Sequence, residues 1–85
     1  SDVMAAGAMQ TLRRAGRKVP EDVAVIGYDD APVARHVTPA LTTVRQPVEE
    51  MATLAARMLL MTLGDEEKPK GNPVLPTELV VRESA

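Results

Sequence analysis

The residues best suited to chemistry are two adjacent carboxylates, Asp29 and Asp30, which close the segment Val23-Ala24-Val25-Ile26-Gly27-Tyr28-Asp29-Asp30. An ionised carboxylate accepts hydrogen bonds and donates none, so it suits a ligand rich in hydroxyls or amines. The apolar run before it has the pattern of a buried strand. In open α/β sheets, ligands bind just outside the carboxyl ends of the strands. The structural alternative is a plain turn, in which Asp bonds nearby backbone. Neighbours along an extended chain point to opposite sides, so the pair does not face one substrate as two catalytic carboxylates must. His36 has no Cys, His or spaced carboxylates around it to complete a metal site. There is no nucleophile–base arrangement and no glycine-rich phosphate loop. The absence of Cys excludes disulfides and thiolate zinc sites. No cofactor is expected.

The elements that must position these residues follow from spacing. Residues 3–15 read as a helix with Val3, Met4, Gly7, Ala8, Thr11, Leu12 and Ala15 on its core face. Asp2 is placed to cap its start and Gly16 to end it in a left-handed turn. Arg13, Arg14, Arg17 and Lys18 crowd its C-terminal end, where cations favour the helix dipole. A helix-turn-helix would need a second helix after Gly16, and an extended segment follows instead. Pro32 and Pro39 bracket an irregular stretch. Leu41–Val44 and Leu79–Val81 read as short strands. Pro47 opens a second helix that Gly64 closes, with Glu49 and Glu50 in its first turn. Its apolar face runs through Val48, Met51, Ala52, Ala55, Met58, Leu59 and Thr62, widened by Leu54, Leu60, Met61 and Leu63. Asp65–Pro73 reads as an exposed charged loop. A helix followed by a buried strand is half of a βαβ unit, so the chain is expected to be a piece of an α/β protein whose preceding strand lies elsewhere.

Eighty-five residues allow at most one domain, and 45% hydrophobic residues exclude a disordered tail. With one Tyr and neither Phe nor Trp, the core must be aliphatic. A net charge of −2 argues against nucleic-acid binding by bulk charge. No apolar run approaches the ~20 residues of a membrane span.

Four motifs together carry a resemblance. Asp2-Val3-Met4-Ala5-Ala6-Gly7-Ala8, Val19-Pro20-Glu21-Asp22 running on to Asp30, Pro39-Ala40-Leu41-Thr42-Thr43-Val44-Arg45-Gln46-Pro47 and Leu79-Val80-Val81-Arg82-Glu83-Ser84 stand in order and spacing that resemble the lactose/galactose repressor family. The resemblance covers the whole chain. It implies a bacterial, cytoplasmic transcription factor, of which this chain is the C-terminal part of a type I periplasmic-binding-protein-like effector domain with two lobes and parallel sheets. It places residues 1–43 and 76–85 in the C-terminal lobe and 44–75 in the N-terminal lobe. It assigns effector binding to Asp29 and, where the family often has Asn, to Ser1. It assigns a homodimer interface to Ala6, Met9, Gln10, Arg13, Arg35, His36 and Val37. The implied partners are a sugar-like or nucleoside-like effector, a second copy of the chain, and operator DNA through a headpiece outside this sequence. No membrane partner is implied. The alternative on the same fold is a sugar-binding protein of a transport system.

Overall fold

A computed structural model describes residues 1–64 and 72–85. The element order is α1 (Asp2–Arg14), α2 (Val33–His36), β1 (Thr43–Arg45), α3 (Val48–Leu63) and β2 (Glu78–Val80). The chain forms two compact units, Ser1–Gln46 with Thr77–Ala85, and Pro47–Pro76. No helix among the described residues is long and apolar enough to cross a membrane. The expected loop at 65–73 falls largely on residues 65–71, outside the described residues.

In the first unit, α1 begins one residue earlier than its sequence pattern predicts. Ser1, not Asp2, caps it, its Oγ accepting from the Met4 amide at 3.2 Å. Gly16 ends it at φ +78, with its amide on the Arg13 carbonyl and the Arg17 amide on the Leu12 carbonyl. That left-handed residue is the stop the sequence predicts. The buried face differs from the predicted one. Asp2, Ala5 and Met9 turn inward, while Val3 and Met4 are 69% and 75% exposed. The cause is Asp2. Its carboxylate finds two donors inside the unit, and the helix rotates to deliver it. Ala5 and Met9 then join Ala34 and Leu41 in the core, with Val19, Val25 and Val37 packed against them. Ala34 enters from α2, a single helical turn where an irregular stretch was expected.

Residues 23–26 are extended but form no strand. They make one parallel bridge, Ile26 with Thr42, and Ile26 is 56% exposed, so the expectation of a strand buried on both faces fails. The ladder partners of this segment within the chain are two short stretches. Val25 donates to the Ser84 carbonyl at 3.0 Å and Gly27 to the Thr42 carbonyl at 2.9 Å. Ser84, fully buried, donates its hydroxyl to the Val25 carbonyl at 2.6 Å and accepts from the Thr42 amide at 2.8 Å. The sheet proper is β1 paired antiparallel with β2, in the register Thr43 with Val80, Val44 with Leu79 and Arg45 with Glu78. The described pairing is therefore α/β with a small antiparallel sheet and one parallel bridge.

In the second unit, α3 starts after Pro47 and stops at Gly64, as its punctuation predicts. None of its side chains is buried. Leu54, Met58 and Met61 are half-buried, a narrower stripe than the predicted apolar face.

Candidate functional site

The site is built from a turn. Asp29 has φ 117 and Asp30 has φ 58. Positive φ costs a non-glycine residue about 1–3 kcal/mol and persists only where surroundings enforce it. Here three successive amides each have an acceptor. Asp29 donates to the Val44 carbonyl at 2.8 Å. Asp30 donates to Thr43 Oγ1 at 3.3 Å, and Ala31 to Asp2 Oδ2 at 2.6 Å. Thr43 Oγ1 in turn donates its hydroxyl to Asp2 Oδ1 at 2.6 Å. Asp2 thus ties the start of α1 to the turn and to β1 with one buried carboxylate. Gly27 makes room for it. A Cβ there would collide with Asp2 Oδ1 and come within 2.8 Å of Leu41 Cδ2.

The two aspartates of the pair part ways. Asp30 points inward, its side chain 4% exposed. Arg82 Nη2 donates to Oδ1 at 2.7 Å and Arg45 Nε to Oδ2 at 2.8 Å, with Arg35 Nη2 at 3.7 Å. The Arg82 hydrogen bond holds the Asp30 carboxyl below the ordinary carboxylate value; burial opposes this and Arg45 lowers it further. Asp29 is exposed, and Gln46 Nε2 donates to its Oδ1 at 2.7 Å. Its second oxygen makes no hydrogen bond among the described residues, so the carboxylate is both oriented and available. Chemically this suits recognition of a hydroxyl or amine. Among the described residues no cluster of three or more His, Asp or Glu could hold a metal ion.

The other predicted site residues distribute as follows. Ser1 is exposed at the start of α1 beside Asp2, its oxygen engaged as the helix cap and its hydroxyl hydrogen free to donate. Ala6, Gln10, Arg13 and Val37 share a groove of about 300 Å³ with Gly7, Met9 and Thr38. Arg35 and His36 are exposed on α2. Met9, which the resemblance assigns to the dimer interface and the helix pattern leaves off the core face, is 6% exposed and packed within the core. Sequence reasoning missed Asp2, Gln46 and Arg82. The carboxylate at a helix start reads as a cap, and nothing in the spacing of Gln46 or Arg82 points at the pair.

Residues 1–85 match the family of periplasmic binding protein-like domains. The chain is 49% identical over 84 residues to the HTH-type transcriptional regulator CelR of Thermobifida fusca, covering 99% of this chain and 25% of that protein. It matches the solved structure of a transcriptional regulator CelR–cellobiose complex with TM-score 0.89 and 48% identity, over 100% of this chain and 26% of that one. It matches a LacI family transcriptional regulator from Lactobacillus casei with bound sucrose with TM-score 0.84 and 45% identity, over 100% and 31%. The chain spans about a quarter of the length of the curated relative. The family match over the whole chain makes it a periplasmic binding protein-like domain. Within that class the chain belongs to the lactose/galactose repressor, or LacI, family.

Proposed function

We propose that this chain is the C-terminal part of the effector-binding and dimerisation domain of a cytoplasmic transcriptional regulator, and that it performs no covalent chemistry. Residues 1–43 and 76–85 belong to a C-terminal lobe and 44–75 to an N-terminal lobe, in a two-lobed architecture with parallel sheets completed by chain outside this sequence. Effector binding shifts an equilibrium between lobe arrangements, and operator affinity of a separate DNA-binding headpiece follows. Effector acts only through its different affinities for the two arrangements. A neutral sugar is the favoured class. In support, relatives of the same family are regulators solved with cellobiose and sucrose bound. Names of that kind favour a regulator over a transport protein.

The observation that carries the reading is Asp29: exposed, held at φ 117, and oriented by Gln46 with one oxygen left to accept. Ser1, at the start of the neighbouring helix, adds a hydroxyl. A homodimer forms through Ala6, Gln10 and Arg13 of α1 with Arg35, His36 and Val37, while Met9 supports that surface from the core. Calorimetry of the intact regulator against neutral disaccharides tests the site. Asp29→Ala weakens binding by about 1.5–3 kcal/mol, the worth of a hydrogen bond to a charged group. Unchanged affinity with an intact fold overturns the assignment.

A further inference from the structure

We propose that Arg82 is a positioning residue for Asp29, acting through Asp30: its guanidinium fixes the inward aspartate and thereby holds the left-handed turn that aims the outward one. The proposal rests on Asp29 being the effector carboxylate.

Arg82 makes three bonds, one to this turn and two to the stretch leading into β1. Nη2 donates to Asp30 Oδ1 at 2.7 Å, and Nη1 donates to the Leu41 carbonyl at 2.9 Å. Its own amide donates to Thr42 Oγ1 at 2.8 Å. The planar fork therefore sets Asp30 against the stretch leading into β1, a geometry a lysine cannot reproduce with one ammonium. Asp30 has two other cationic neighbours, Arg45 and Arg35, but their side chains are 42% and 63% exposed, against 15% for Arg82. Exposed pairs are screened and weak. Arg82 is the partner that meets Asp30 away from water.

Asp29 and Asp30 are consecutive residues at positive φ, a conformation the chain leaves unless something opposes it. Asp29 itself contributes little hold, since its side chain is exposed and bonded only to Gln46 among the described residues. The grip lies one residue on, where a buried carboxylate has both oxygens occupied. With Asp30 released, Asp29 relaxes toward ordinary backbone and its amide parts from the Val44 carbonyl. Asp30 cannot bind the effector itself, because its oxygens are already taken.

The test is site-resolved amide hydrogen exchange on the intact protein without ligand. Arg82→Met speeds exchange of the Asp29 and Asp30 amides by about tenfold or more, while the Gly27 amide, bonded to Thr42, keeps its rate, as local rather than global opening requires. Arg82→Lys falls between the two. An unchanged Asp29 amide overturns the proposal, and so does a rise shared equally with Gly27, which marks a general loss of stability. Calorimetry with cellobiose then separates this proposal from the reading beneath it. Arg82→Met and Asp29→Ala both weaken binding if both hold. Loss with Asp29→Ala alone removes the positioning role, and no loss with Asp29→Ala removes the effector assignment.

Discussion

Gly27→Ala probes how tightly the site is built. The added Cβ would press on Asp2 Oδ1, lie 2.8 Å from Leu41 Cδ2 and lie 3.2 Å from Asp2 Cγ, all inside the ~3.5–4.0 Å of comfortable carbon contact. Leu41 is fully buried and has nowhere to retreat. Asp2 can yield only by releasing the Ala31 amide and the Thr43 hydroxyl, both at 2.6 Å. Overpacking costs about 1–3 kcal/mol, and losing hydrogen bonds to a charged group about 1.5–3 kcal/mol each. The cheaper mixture of the two gives an expected loss of about 2–4 kcal/mol. Backbone strain does not enter, since Gly27 is not at positive φ. On entropy alone an alanine at such a position would stabilise by about 0.4–1 kcal/mol. Urea unfolding of the intact protein measures the loss. Repeating the substitution in an Asp2→Ala background completes a double-mutant cycle. With the carboxylate gone, the part of the Gly27→Ala cost that falls on Asp2 should vanish while the Leu41 contact remains, giving a coupling of at least about 1.5 kcal/mol. Simple additivity, or a Gly27→Ala variant within about 0.5 kcal/mol of wild type, refutes the packing described around Asp2.

Asp29→Gly and Asp29→Ala lose effector affinity alike, yet the glycine variant unfolds at least about 1 kcal/mol later in urea titrations, because glycine accepts φ 117 without strain. The depressed Asp30 carboxyl makes its ionised form more favoured in the folded state. Its stabilisation is therefore complete above the unfolded carboxylate value near ~3.9 and lost as pH falls through the lower folded value. Urea midpoints followed down to about pH 3 should show a shallower acid-side decline in Asp30→Asn than in wild type. Ser84→Ala leaves the Val25 carbonyl and the Thr42 amide without their side-chain partner and costs about 2–4 kcal/mol by calorimetric melting. Arg13→Glu together with Gln10→Glu, at the exposed rim of the α1 groove, lowers self-association in sedimentation while effector affinity persists.

Elements bounded by strong punctuation were legible from the residues. Pro47 and Gly64 delimit α3, and Gly16 terminates α1 at positive φ. The carboxylate pair was legible as a candidate site because an apolar run leads into it. The face of α1 was not, because Ala5, Ala6, Gly7 and Ala8 give a period almost no contrast, and the deciding residue is a buried aspartate whose partners lie 29 and 41 residues away. The run at 23–26 misled for a related reason. Its composition records a buried strand, whereas its partners in this chain are single residues, Thr42 and Ser84. Long-range hydrogen bonds of this kind leave no periodic trace. The division of labour between Asp29 and Asp30 needed the arginines, and only folding brings Arg82 across 52 residues to Asp30.

The first unit is interrupted in sequence: Thr77–Ala85 complete what Ser1–Gln46 begin, and the thirty residues Pro47–Pro76 come between. A ribosome adding about 5–20 residues per second takes roughly 2–6 s to cross that interval. Throughout it the nascent chain already holds Leu41–Thr43 and Val25, but not the serine that stitches them or Arg82, the least exposed of the arginines on Asp30. Unpaired extended backbone is the kind of surface that pairs with the wrong chain. Synthesis therefore passes through a window in which the half-built unit is open to misassociation, and Thr77–Ala85 act as the fastener that closes it.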